Sequence, residues 1–213
     1  HEAIAEFADR TYTEASLSQI ARRAHIPKGS FYQYFEDKLD LYRWLLTEEA
    51  PRRKRAFLAS ADLSGDFWAR LEVTIERGMA FLVEHPHLAR LTAAAADPTA
   101  IPEVRGLHKA VCEAGIAELH ALVEAGIAEG ALAPDLHLAS TTRLVSSVIG
   151  PGLTDVILSE LGAELHEVLA SDALRRRLDA PMRARLARDA VRFLRGGLAP
   201  HPRLTQGSTH VSS

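Results

Sequence analysis

Apolar residues recur at three- and four-residue spacing along most of this chain, and prolines and capping residues punctuate the pattern. That period gives each segment one apolar stripe at helical spacing, so an all-α chain is expected, with no strand and no internal repeat. Ile4, Phe7 and Ala8 form the inward face of a first helix over residues 1–10. Ser16 followed by Gln19 has the form of a capping box, and Leu17, Ile20, Ala21 and Ala24 mark the apolar face of a second helix. His25-Ile26-Pro27 reads as a tight turn. His is among the few non-Gly residues enriched at positive φ, and Pro suits the first position of the helix that follows. Phe31 and Phe35, four apart, point inward from a short third segment. Asp37 with Asp40 then caps another helix, which carries Leu41, Trp44 and Leu45 on one side.

Downstream, Pro51 interrupts the pattern. An interior Pro removes a hydrogen bond and crowds the carbonyl four residues back, so a kink or restart is expected there, ahead of the basic run Arg52-Arg53-Lys54-Arg55. Further helices are expected over residues 66–84, 86–96, 102–130, 135–158 (broken or bent at Gly150-Pro151-Gly152) and 181–197. The tail, 200–213, is rich in Pro, Ser, Thr and Gly without periodicity, and is expected to be disordered.

The segment around Phe31 carries the most specific chemistry. With Phe31 and Phe35 turned inward, Lys28, Gly29, Ser30, Tyr32, Gln33 and Tyr34 form the outward set. These are donors and aromatic hydroxyls suited to phosphates and base edges, and Gly29 allows a close backbone approach. Helix, tight turn and polar second helix together make a helix-turn-helix, the motif that lays its second helix in the major groove.

Ile20-Ala21, Ala24-His25-Ile26, Gly29 to Phe35, Lys38 and Leu41 together resemble the N-terminal signature of tetracycline-repressor (TetR) family regulators. The resemblance covers about 40 residues. It implies an all-helical homodimer with a three-helix DNA-binding domain (1–46), a larger effector-binding and dimerisation domain (47–199), and the tail (200–213). It carries DNA contacts onto Ser16, Ser18, Lys28, Gly29, Ser30, Tyr32, Gln33 and Tyr34, and a phosphate contact onto Lys38. His25 stands where the family commonly has Gly, Pro27 where it often has Ser, and Thr11 where Gly is common. The resemblance also implies a cavity bordered by Phe57, Trp68, Met79, Phe81, Leu82, Leu91, Cys112 and Ile116. The resemblance further implies a two-fold interface on two apolar stripes, Leu138, Val145 and Ile149 on one helix and Leu186, Ala190, Phe193 and Leu194 on the last.

Composition narrows the classes. At 213 residues and 47% apolar, the chain is long enough for one large or two modest domains. Its net charge of −3 does not itself suggest DNA, but the first 55 residues are slightly basic and the remainder acidic, and distribution matters more than the sum. A single Cys excludes an internal disulfide framework. No apolar run is read as a membrane span and the opening residues do not read as a signal peptide, so a cytoplasmic protein is expected. No nucleophile elbow, phosphate loop or dinucleotide motif is present, and an enzyme is not expected. His108 with Cys112, and His85 with His87, fall short of the four-ligand set of structural zinc, so neither metal nor other cofactor is expected. The expected function is a transcriptional regulator, most often a repressor in this family, released from a palindromic operator by a small apolar or amphipathic effector. The competing reading is a DNA-binding protein without an effector, governed by a protein partner or acting architecturally.

Overall fold

The computed structural model describes residues 1–199, and every regular element among them is helical. The expected tail, 200–213, lies outside the described residues. The chain opens with α1 (Glu2–Asp9), α2 (Leu17–Arg23), a 3-10 helix over Lys28–Gln33, and α3 (Lys38–Trp44). Asp37 caps α3, its carboxylate accepting from the amide of Asp40 at 2.8 Å.

Of the kink or restart expected at Pro51, the restart does not occur. A π turn over Leu45–Glu49 joins α3 directly to α4 (Ala50–Ala59). In a regular α turn the Pro51 ring would strike the carbonyl of Thr47 and leave it without a donor. The wider π turn changes the ladder just before the proline, and the helix continues. The same device recurs downstream, where a π turn over Val148–Gly152 encloses Pro151 and joins α8 (Leu138–Ser147) to α9 (Leu153–Leu161). That joining makes Leu138–Leu161 long and apolar enough to cross a membrane by length and composition alone, contrary to the sequence reading; only 17% of its apolar window is buried in the subunit.

The rest of the body comprises α5 (Phe67–Glu84), α6 (Pro86–Ala95), α7 (Pro102–Ala128), α10 (Leu165–Ala170), α11 (Asp172–Arg177) and α12 (Ala180–Leu198). One apolar core lies where α5 and α12 pack, with Trp68, Leu71, Ile75 and Met79 meeting Leu186, Ala190 and Leu194, and with Val145 and Ile157 joining them. Gly126 of α7 belongs to the same region, since a β-carbon there would lie 2.7 Å from the Phe67 ring and 2.9 Å from Leu132. Gly126→Ala is expected to destabilise the body by about 1–3 kcal/mol through overpacking. An unchanged melting temperature would mean that both side chains swing aside freely.

The second core runs from the head into the body. Ile4 and Phe7 of α1 join Ile20, Leu41, Tyr42 and Leu46, and the cluster continues through Leu88, Leu91 and Ala95 of α6 to Val104 of α7. Arg90 of α6 also pairs with Asp9 of α1 at 3.0 Å. The head is therefore seated on α6 by shared apolar burial and an ion pair.

Candidate functional site

The helix-turn-helix is held from inside by one buried carboxylate. Glu6 of α1 is 1% exposed; it lies 3.0 Å from Arg23 and 3.5 Å from Arg10, and its Oε1 accepts from the Ser16 amide at 3.1 Å. Both ends of α2 are thereby fixed to α1. Ser16 caps α2 as expected, its hydroxyl accepting from the Gln19 amide. The reciprocal half of the capping box is absent, because Glu6 takes the Ser16 amide and the Gln19 side chain accepts from Arg22. His25 has φ of +55°, so it supplies the left-handed residue of the turn.

The next segment is a single stretch of 3-10 helix, anchored by the buried Phe31 and by Phe35, whose ring lies 5.7 Å from that of Trp44. Tyr34 is 79% exposed, Tyr32, Gln33 and Gly29 are exposed, and Ser30 is half-buried. Among the described residues, nothing beyond its chain neighbours and its own helix backbone comes within 4 Å of a β-carbon built on Gly29, so that face is open to a partner's approach. Ser18 is exposed on the first turn of α2 and Ser16 is half-buried beneath it. Lys28 opens the 3-10 helix, and its side chain lies outside the described set.

Lys38 departs from expectation. Its ammonium donates to the carbonyls of Thr13 (3.2 Å) and Ala15 (3.1 Å) and sits 4.7 Å over the Tyr12 ring. The loop before α2 leaves these carbonyls without backbone partners, and a long flexible cation reaches them more readily than a phosphate outside. Tyr12 in turn packs with Phe7 and Tyr42, and burial, followed by the neighbouring Tyr12, pushes the Tyr42 phenol up to about 12. Lys38→Ala is expected to cost the head about 1–2 kcal/mol while leaving the salt dependence of DNA binding unchanged. A slope reduced by one ion's worth would restore Lys38 to the phosphates.

A cavity of about 640 Å³ opens between α4, α5, α6, α7 and the α9–α10 region. Its size falls within the usual range for small-molecule sites. Of the residues expected to border it, Phe81 and Leu82 do so. Trp68 and Met79 are instead buried in the core between α5 and α12, and Leu91 in the core beneath the head. Phe57 is not among the lining residues; its ring packs against Phe81 and His85, with the Arg77 guanidinium 3.8 Å from its centroid. Cys112 is exposed on α7 beside His108, and Ile116 is half-buried away from the cavity. The walls the sequence reading passed over are made of small residues: Ala89 and Ala93 on α6, and Ala110, Ala114 and Gly115 on α7. Their four-residue spacing was visible, but such residues are usually read as close helix packing. Here, β-carbons built on Gly78 and Gly115 meet nothing within 4 Å among the described residues.

The two apolar stripes also separate. Val145, Leu186, Ala190 and Leu194 face the subunit's own core, and Leu138 and Ile149 are half-buried against it. The α12 residues pack there because α5 supplies an apolar partner across them, while α8 lies against α7. What remains outward is Phe193 (71% exposed), Leu144 (66%) and Val156. No group of three His, Cys, Asp or Glu side chains suited to a metal occurs among the described residues.

The sequence model described as "Bacterial regulatory proteins, tetR family" matches residues 1–44, the segment that folds into this head. The head is a TetR-family domain. The chain's fold extends the likeness through the body. A TetR family transcriptional regulator from Chloroflexus aurantiacus J-10-fl is 27% identical, with a TM-score of 0.65 over 94% of this chain and 91% of that one. The fatty acid degradation regulator FadR from Bacillus halodurans is 20% identical with a TM-score of 0.67, covering 92% of this chain and 96% of that one. FadR from Bacillus subtilis, solved in complex with stearoyl-CoA, is 18% identical with a TM-score of 0.65, covering 92% and 95%. At those identities the two FadR structures speak for the fold alone.

Two residues of this TetR-family head that sequence reasoning missed are Glu6 and Arg23. A Glu on α1 and an Arg closing α2 resemble ordinary surface charges until the two helices cross. Glu49 escaped for a similar reason. Burial pushes its carboxyl up, but hydrogen bonds from Arg53 and Arg52, together with their charges, outweigh this and hold it below the ordinary Glu value. The stability from these pairs is therefore present above the unfolded-state carboxylate pKa and is lost as pH falls through the lower folded value.

Proposed function

We propose that this protein represses transcription from a palindromic operator as a homodimer and is released by a small apolar or amphipathic effector bound in the cavity. The observation that carries the reading is shared burial: Leu46, Phe81 and Leu88 belong both to the core beneath the head and to the cavity lining. A ligand that displaces these side chains repacks the floor on which α1 and α3 rest. Leu46, Thr47, Ala50 and Pro51 bring the π turn of the lever helix into the same wall. In this reading residues 1–46 read DNA and 47–199 bind the effector and the second subunit. Ser18, Gly29, Ser30, Tyr32, Gln33 and Tyr34 meet the operator, with Ser16 setting the start of α2. The outward residues Leu144, Val156 and Phe193 meet their symmetry mates, which suits the two-fold symmetry of palindromic half-sites. FadR from Bacillus subtilis holding stearoyl-CoA on the same fold favours an amphipathic effector.

The test is to select bound duplexes from a random pool and then to measure operator affinity with and without candidate effectors, in the parent and in Gly115→Leu. An effector that prefers the DNA-incompetent state by about 1–3 kcal/mol lowers operator affinity by roughly 5- to 150-fold. Gly115→Leu puts a bulky side chain on the cavity wall, so it should weaken that response and leave effector-free DNA binding within a few fold. If no effector changes operator affinity, and the Gly115→Leu change is silent, the effector-free DNA-binding protein takes its place.

A further inference from the structure

The cavity's charged lining gathers on two helices. Lys54 and Arg55 stand on α4 and Glu118 on α7, while most of the remaining wall is apolar or small. Arg55 Nη1 lies 3.3 Å from Glu118 Oε1, with both side chains more than half exposed, so the pair straps α4 to α7 where the cavity meets solvent. Exposed pairs of this kind are weak and open to competition. Lys54, the adjacent residue, is exposed and has no carboxylate partner among the described residues. Two cations therefore face one carboxylate at the edge of an apolar cavity.

We propose that the cavity selects an anionic amphiphile, an apolar chain ended by a carboxylate or a phosphate, with Lys54 as its counter-charge and Arg55 drawn from Glu118. This rests on the effector reading above and specifies the ligand class. A neutral polar end gains nothing from Lys54 that water does not already supply, whereas an anion gains attraction from both cations and loses some to Glu118. The two charges therefore act with opposite sign on the same ligand. Competition for Arg55 also loosens the strap between α4, which continues the helix leaving the head, and α7.

Calorimetric titration of the full chain with dodecanoate, dodecyl phosphate and dodecanol tests this, in the parent and in Lys54→Gln, Glu118→Gln and Gly115→Leu. The charged sites are exposed, so their Gln variants should fold as the parent does. At least one of the two anions is expected to bind about 5-fold or more tighter than dodecanol, and the comparison of the two identifies the head group. Lys54→Gln should weaken that anion about 3- to 5-fold and Glu118→Gln should strengthen it by a similar factor, both leaving dodecanol unmoved. Higher salt should shrink the difference. Equal affinity for all three ligands, or a Glu118→Gln variant that weakens the anions, overturns anion selection and leaves the effector reading standing. Absence of binding by both anions also overturns it. Affinity unchanged in Gly115→Leu places the ligands outside the cavity, and the effector reading falls with the inference.

Discussion

Replacing Phe193 with Arg is expected to yield a folded monomer that has lost most of its operator affinity. Phe193 is 71% exposed in the subunit, so the new charge stays hydrated in the monomer and costs the fold little. In a dimer it would be buried in an apolar seam, and an unpaired charge there costs several kcal/mol. Two half-sites can be held at once only when two heads are joined, and joining raises overall affinity by about 10²- to 10⁴-fold through effective concentration. The next residue is the control. Leu194 is buried in the subunit's own core, so Leu194→Arg should unfold the body. Sedimentation and operator titration of both variants decide the matter. A Phe193→Arg protein that remains dimeric at low micromolar concentration would remove this face from the interface.

Glu6→Ala is the second substitution with a large expected effect. It strips the Ser16 amide of its acceptor and leaves Arg23 and Arg10 without their carboxylate. The two arginines are partly exposed and can rehydrate, so the main penalty is the part-buried amide, about 1–3 kcal/mol, with a smaller share from the lost pairs. For a chain of this size the melting temperature should fall by about 2–12 °C. Operator affinity should fall further than that loss alone explains, because the start of α2 and the turn after it are no longer fixed to α1. Glu6→Gln keeps an acceptor for Ser16 and should recover part of both. A Glu6→Ala protein as stable as the parent would mean that the carboxylate is not what joins α2 to α1.

The local chemistry of the head was written in the sequence. Ser16 and Asp37 cap the helices they were expected to cap, His25 takes the left-handed turn, and Phe31 and Phe35 turn inward. Each of these depends on groups within a few residues of one another, where side-chain size and hydrogen-bond reach leave few alternatives. The order of helices and the helix-turn-helix follow from the same short-range rules.

Tertiary structure decided which neighbour each face and each charge would meet. Periodicity defines an apolar stripe without naming its partner, so Leu186, Ala190 and Leu194 went to α5 and left Phe193 outside. A Lys side chain reaches many acceptors, and the packing of the loop before α2 directed Lys38 inward. Pro51 and Pro151, expected to bend or interrupt their helices, stand beside or inside π turns that carry the helix on without a gap. The cavity itself is space between helices walled by alanines and glycines, and empty space has no residue of its own to announce it. What lies within a turn or two of a residue is fixed by the chain's own chemistry; what lies across an interface exists only once distant segments have met.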